Sequence, residues 1–91
     1  MKISLYVEVY YIENETRSHL NLYVKHIESD FRPVIGDILY SDGDEDGSRV
    51  SVVSYDYMTD EVTVLLEDAV YAKKDIKSIC DWLNEIGWEV G

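Results

Sequence analysis

Residues 42 to 47 are the part of this chain whose residue types and spacing come nearest to metal chemistry. The segment reads Asp-Gly-Asp-Glu-Asp-Gly, with four carboxylates in six positions between two strand-like stretches. In a calcium loop of the EF-hand type, oxygen ligands stand at positions 1, 3 and 5, glycine at position 6, and a backbone carbonyl at position 7. Asp42, Asp44, Asp46 and Gly47 fit that spacing, and Ser48 supplies the carbonyl.

The second half of this segment departs from a calcium loop. Position 12, where a bidentate glutamate completes the shell, is Val53. The flanks read as strands, and Asp-Gly steps are also typical of hairpin turns. We therefore expect a solvated hairpin loop and no cofactor. Weak Ca²⁺ binding through Asp42, Asp44, Asp46 and the Ser48 carbonyl is the less favoured alternative.

The other side chains with catalytic potential are scattered. His19 and His26 stand seven residues apart, which predicts opposite faces of one strand, with His26 on the apolar face. Cys80 falls on the apolar stripe of a predicted helix, where burial keeps a thiol inert. There is no glycine-rich phosphate loop, serine elbow or cysteine pair. We predict that the protein is not an enzyme.

Charge is the strongest compositional signal. Nineteen acidic residues against eight basic ones give a net charge of −11. Direct nucleic-acid binding is not expected, because it depends on lysine and arginine displacing counterions from phosphates. Residues 28 to 72 hold twelve of the acids and only two bases, Arg32 and Arg49, so the middle of the chain is expected to form an acidic face. One cysteine, no signal peptide and no membrane-spanning apolar run predict a cytoplasmic protein with no membrane partner.

Alternation of apolar and polar residues predicts about five strands. They are expected at residues 2–12, 20–26, 38–40, 50–57 and 62–66. In the first hairpin, pairing Val9 with Val24 would also set Glu8 opposite Lys25 and Tyr10 opposite Tyr23, which are favourable cross-strand pairs. The apolar residues of 50–57 change phase, which predicts either burial on both faces or a bulge.

The apolar spacing then becomes helical. Ile76, Ile79, Cys80, Leu83 and Ile86 predict an amphipathic helix over 73–86. Gly87 stands where a left-handed C-cap belongs, and residues 88–90 are expected to form a short strand or a folded tail. The predicted fold is a single α+β domain, 1–91, of order β-β-β-β-β-α: a small antiparallel sheet or partly closed barrel with one C-terminal helix.

Tyrosine is the favoured aromatic residue: the chain has eight tyrosines and one phenylalanine. Tyr6, Tyr10 and Tyr23 are expected on the polar face of the first hairpin, and tyrosine is enriched at interfaces. One short helix cannot cover both faces of the sheet, so one face is expected to be free for a partner unless the sheet closes. The predicted partner-binding residues are Tyr6, Tyr10, Tyr23, Asp44, Glu45, Asp46, Asp60 and Glu61.

These features favour a small acidic binding protein that covers a basic surface of a partner protein, as toxin-immunity proteins and phage-encoded inhibitors do. Such a role would suit a phage or mobile-element origin. The first alternative is a housekeeping or regulatory domain that is acidic for solubility and self-associates through its tyrosine face. The second is a weak calcium-binding module.

One stretch carries a local resemblance. Tyr55-Asp56, Thr59-Asp60-Glu61 and Leu65-Leu66 are similar to a stretch of the phage inhibitors of uracil-DNA glycosylase, which are acidic DNA mimics. The similarity covers under a fifth of the chain and stops at the C-terminal helix, which those inhibitors do not have at that place. No residue role is carried over from it.

Overall fold

The computed structural model describes residues 1–40 and 46–91. It is rich in sheet, with one short C-terminal helix, and is broadly α+β. The elements, in chain order, are β1 Lys2–Glu13, β2 Thr16–Glu28, β3 Ile38–Leu39, β4 Ser48–Asp56, β5 Glu61–Leu66, β6 Ala69–Ala72, a 3₁₀ turn Lys73–Asp75, α1 Ile76–Glu85 and β7 Glu89–Val90.

The β1–β2 hairpin turns more tightly than the sequence suggested. Asn14 and Glu15 alone make the turn, with φ of 51° and 63°, the left-handed conformation that a two-residue type I′ hairpin requires. The strands therefore pair in a different register from the one predicted. Val9 lies opposite Asn21 instead of Val24, so the predicted pairing was wrong. The register also shifts by one residue beyond Val9, because Leu20 is the extra residue of a β-bulge.

The sheet is mixed, so the prediction of an antiparallel sheet was wrong. Its strand order is β3-β4-β5-β1-β2-β7, and β6 also pairs with β1. The first half of β1 runs parallel to β5 and the second half parallel to β6. A meander would leave the second edge of this long strand unpaired, whereas the observed return of β5 and β6 satisfies it. The seven strands curl into a half-barrel.

The β4–β5 hairpin contains the predicted irregularity. The register of β4 shifts between Val50 and Val52, which confirms a bulge and explains the change of apolar phase in this strand. On either side of the bulge, Val50 lies opposite Leu66 and Val52 opposite Leu65. These two valines therefore point to opposite faces of the sheet.

One face of the sheet holds the core, and α1 packs on it. We call this the helix-covered face. Its buried strand residues are Ile3, Leu5, Val7, Val9, Tyr23, Val50, Val62, Val64 and Leu66, and Leu83 of α1 and Trp88 complete the cluster. Every buried strand residue points to this face, because each pairs with another member of the same cluster or lies two positions along the strand from one.

The predicted helix is confirmed, with its first turn as a 3₁₀ turn and with Gly87 in the left-handed position that follows the C-cap residue Ile86. Gly87 has φ of 97°; its N–H donates to the Asn84 carbonyl at 3.2 Å, and the Trp88 N–H donates to the Leu83 carbonyl at 2.9 Å. This is a Schellman motif. Lys25 from β2 donates to the Ile86 carbonyl at 2.7 Å, adding a positive charge at the negative end of the helix dipole.

The cap delivers the chain to the sheet edge, where β7 pairs antiparallel with β2. The short terminal strand expected after the helix is therefore present. Across the described ranges, no helix has the length and apolar character needed to cross a membrane.

Substituting glycine for Glu15 should stabilise the protein. A non-glycine residue in the left-handed region costs about 1 kcal/mol, and Asn-Gly is the preferred sequence of this turn. We expect Glu15→Gly to raise the free energy of unfolding by roughly 0.5–1 kcal/mol in urea denaturation. Glu15→Gln is the matched control, because it removes the same charge and keeps the strained φ. Equal effects of the two changes would show that charge, not backbone conformation, matters at this position.

Candidate partner-binding surface

The second face of the sheet, which we call the open face, points away from α1. Within residues 1–40 and 46–91, no element packs on it and none of its side chains is buried. Strand alternation and the register define its members. They are Lys2, Ser4, Tyr6, Glu8, Tyr10, Ile12, Arg17, His19, Leu22, Val24, His26, Glu28, Val52, Ser54, Asp56, Glu61, Thr63, Leu65, Val70 and Ala72.

An apolar row crosses the middle of the open face. Tyr6 of β1 lies between Val24 of β2 and Leu65 of β5, and Leu65 lies opposite Val52 of β4. Leu65 and Val52 are 41% and 43% exposed. Four apolar side chains in register over four strands thus form one continuous strip about 14 Å across, given strand spacings of about 4.8 Å.

A polar row borders this strip on one side. It consists of His26, Ser4, Thr63 and Ser54, which are paired across the same four strands. The Ser4 hydroxyl and His26 Nδ1 lie 2.8 Å apart in a hydrogen bond. The row supplies hydroxyl groups that can donate or accept at a wet interface.

A charged row follows, two positions further along each strand. Lys2 lies between Glu28 and Glu61, and Glu61 pairs with Asp56. The N-terminal ammonium is 3.8 Å from Glu28, whereas Glu61 makes no ion pair or side-chain hydrogen bond within the described residues. The row therefore carries a net negative charge, and its central carboxylate is available.

The opposite side of the apolar row holds carboxylates that are already paired. Glu8 hydrogen-bonds His19, whose ring meets Tyr10 edge-on at 5.1 Å. The Arg17 guanidinium lies 3.9 Å from the centre of the Tyr10 ring and donates to Asp68 at 2.8 Å. These five side chains form a solvated cluster, in which the Arg17–Asp68 and Glu8–His19 side chains are between 41% and 48% exposed.

One end of the molecule is acidic; we call it the acidic end. It is formed where β1 and β5 begin and where β2 and β4 end. Its carboxylates are Glu28, Asp30, Asp56, Asp60 and Glu61, and its basic side chains are Lys2 and Arg32. The other end of the β1–β2 hairpin, about 40 Å away along strands of this length, contains Glu13 and Glu15 together with Arg17, Lys73 and Lys74.

Exposed apolar residues project from the acidic end. The turn between β4 and β5 carries Tyr57 and Met58, which are 79% and 81% exposed. The Tyr55 hydroxyl donates to Asp60 at 2.7 Å, and the Arg32 guanidinium lies 4.9 Å from the centre of the Tyr55 ring. The hydrogen bond to Asp60, followed by desolvation, raises the pKa of Tyr55. These contacts brace the turn beneath its exposed tip.

The predicted partner-binding residues do not form one surface. Tyr6 and Tyr10 lie on the open face, and Asp60 and Glu61 lie at the acidic end. Tyr23 was expected on the polar face of the hairpin opposite Tyr10, but it lies opposite Val7 on the helix-covered face and is 4% exposed. The three-residue change of hairpin register explains that error. Asp44 and Glu45 lie outside the described residues.

The predicted calcium ligands fall partly outside the described residues. Asp42 and Asp44 are among those that are not described; Asp46 is exposed, and Ser48 begins β4. The pairing of β4 with β5 sets Ser48 roughly 20 Å along the sheet from Glu61. Glu61 is thus too distant to complete a site with Ser48. Within residues 1–40 and 46–91, no group of three His, Cys, Asp or Glu side chains is placed to hold a metal ion.

The Cys80 thiol also lies apart from the imidazoles of His19 and His26. Both histidines lie on the open face, because the bulge at Leu20 reverses the expected phase, so the predicted opposite faces were wrong. Cys80 of α1 lies on the other side of the sheet, beside Tyr23. A Cys80–His26 pair is therefore not formed.

Two features were not found from the sequence. Tyr57 was placed in a strand, although Tyr-Met directly before Thr-Asp could have indicated an apolar turn. The Glu8–His19 and Arg17–Asp68 pairs depend on the two-residue turn, which Asn14 with its tolerance of positive φ could have suggested.

Comparison of the chain with protein family models, curated proteins and solved structures gives no match. The short resemblance to uracil-DNA glycosylase inhibitors gains no support from these comparisons.

Tyr23 should make the protein sensitive to alkali. Burial, followed by the interaction with the neighbouring Cys80 thiol, raises the pKa of Tyr23 to about 12. Between the unfolded value of about 10 and this value, only the unfolded state releases the proton, so stability is full below pH 10 and is lost as pH rises. We expect a loss of up to about 3 kcal/mol in urea denaturation between pH 10 and 12.

Tyr23→Phe should reduce this pH dependence to the smaller contribution of groups such as Tyr55, whereas Tyr57→Phe, a change at an exposed tyrosine, should keep it in full. The comparison uses the slope of the free energy of unfolding against pH. A packing change caused by the substitution shifts the free energy at every pH, whereas the titration of Tyr23 changes the slope. Equal slopes for the two variants would show that Tyr23 is not the group responsible.

Proposed function

We propose that this protein is a non-catalytic binding domain whose acidic end covers a basic surface of a partner protein, in the manner of an inhibitor or immunity protein. The observation that carries the proposal is the combination at one end of the molecule. Five carboxylates stand there against two basic side chains, around a turn whose Tyr57 and Met58 are almost fully exposed.

The charge distribution supports a basic partner. A net charge of −11 with an excess of carboxylates at one end attracts cationic surfaces at long range and aligns the molecule as it approaches. Two of the carboxylates at this end, Asp30 and Glu61, make no ion pair or side-chain hydrogen bond within the described residues, so pairing them with lysine or arginine costs little rearrangement. The same charge opposes self-association, because two copies would bring together surfaces of the same sign.

The exposed turn between β4 and β5 supplies apolar and aromatic contacts, which the carboxylates do not. Surface ion pairs contribute little affinity, typically about 0–1 kcal/mol each, whereas buried aromatic anchors dominate many interfaces. Tyr57 offers a rigid aromatic ring with a polar hydroxyl, and Met58 adapts its shape to an irregular apolar pocket. We therefore assign steering to the carboxylates and anchoring to the turn.

Selective neutralisation of the acidic end tests this function. The combined change Asp56→Asn, Asp60→Asn and Glu61→Gln should abolish capture of a specific protein from a lysate of the source cells by the immobilised chain. Asparagine tolerates the φ of 57° at residue 60. The matched control, Asp81→Asn, Glu85→Gln and Glu89→Gln, removes the same charge from exposed positions elsewhere and should retain the partner.

Capture should also fall as salt is raised, because the steering charges are exposed. If both triple variants lost the partner equally, the chain would be acting as a general cation exchanger. If no protein were retained by the unaltered chain, the proposal would be wrong.

A further inference from the structure

We propose that the open face is the docking surface that continues from the acidic end, and that its occupant is a protein surface with an aliphatic patch beside lysine or arginine side chains. This inference deepens the proposed function and rests on it. It specifies which of the two sheet faces the partner contacts, and in which orientation.

The apolar row is suited to the centre of an interface. Val24, Tyr6, Leu65 and Val52 lie side by side in register, and the two on the β4 side are about two-fifths exposed. A row in register presents a flat strip, and neighbouring rows lie about 6.7 Å away on each side. Such a strip, with polar rows around it, has the arrangement of an apolar interface core inside a polar rim.

The open face is also large enough. It is four strands wide along the first half of β1 and three strands wide along the second half, and β1 contributes 12 residues along its length. At about 4.8 Å per strand and about 3.3 Å per residue, its area is on the order of 700 Å². That is close to the roughly 800 Å² that each partner buries in a standard interface.

The pairing of charges fixes the orientation of the partner. On one side of the apolar row, Glu8 and Asp68 are already paired with His19 and Arg17. On the other side, Glu61 makes no ion pair or side-chain hydrogen bond within the described residues. The partner's basic groups should therefore lie over the charged row, four residues or about 13 Å along the strands from its aliphatic patch.

A basic protein fits this face better than a second copy of the chain. The charged row needs positive groups opposite it, and the other end of the open face offers Arg17, which is already engaged with Asp68. Two open faces packed together would therefore leave the Glu61 and Asp56 carboxylates without positive partners. Leaving charges unpaired at an interface is costly.

Two synthetic peptides of equal length and charge test the inference by NMR titration. One carries leucines at one end and lysines at the other; in the second, serines replace the leucines. We expect the leucine peptide to shift the amides of Tyr6, Val52 and Leu65 and to bind the chain about ten-fold more tightly than the serine peptide.

Matched variants locate the binding face. Leu65→Lys places a charge in the apolar row and should weaken the binding of the leucine peptide about ten-fold. Ile35→Lys makes the same kind of change at a residue that is 68% exposed and lies beside Val53, on the helix-covered side, and should leave affinity within about two-fold. Val52→Lys provides a second variant in the row should Leu65→Lys perturb folding.

Each other outcome is decisive. Equal binding of the two peptides, with shifts confined to the acidic end, would overturn the docking face and leave the proposed function standing. Shifts on the helix-covered face, or no binding of the leucine peptide, would also overturn it, while lysate capture judges the function separately. A dimer in sedimentation that Leu65→Lys dissociates would assign the face to a second copy instead.

Discussion

The pairing of β1 along both of its edges is the interaction on which the rest of this structure depends. β2 occupies one edge, and β5 followed by β6 occupies the other, so the longest buried alternation of the chain lies at the centre of the sheet. The four buried side chains of β1 then require a cover, which α1 and Trp88 provide. A ten-residue helix is only about 15 Å long. It covers one face of the sheet, and the other face is exposed to solvent.

Because only one face of the sheet is covered, the arrangement of charges on the other face is exposed to solvent. The same register that aligns the core valines also aligns the open-face residues into apolar, polar and charged rows. Because β1 and β5 begin at the same end, the acids that precede β5 lie beside those that end β2. Five of the twelve acids of residues 28–72 are thereby brought to one end of a molecule that is 45 Å long and 23 Å wide.

Local sequence patterns predicted the local structure, but they did not predict which strand residues pair over long range. The helical spacing of Ile76 to Ile86 and the glycine at position 87 located the helix and its cap, because these depend on neighbouring residues. The change of phase at Val50 to Val53 predicted either a bulge or burial on both faces, and a bulge is present. The hairpin register failed because pairwise preferences such as Glu8 with Lys25 are worth less than the geometry of the turn.

The parallel placement of β5 beside β1 depends on how distant segments share a core, which alternation does not encode. A single short helix was enough to predict that one face of the sheet would be uncovered. It was not enough to predict every residue on that face. Tyr23 was assigned to the wrong face by the register error, while Leu65 and Val52 were not recognised as surface residues.

One face of the sheet is packed and the other is free, and methyl NMR with a soluble paramagnetic relaxation agent distinguishes the two faces. We predict strong broadening of the Leu65 and Val52 methyl signals and weak broadening of those of Val62 and Val64, which alternate with Leu65 along the same hairpin. Equal protection of both pairs would contradict the account, because it would mean that the open face is covered in the free protein.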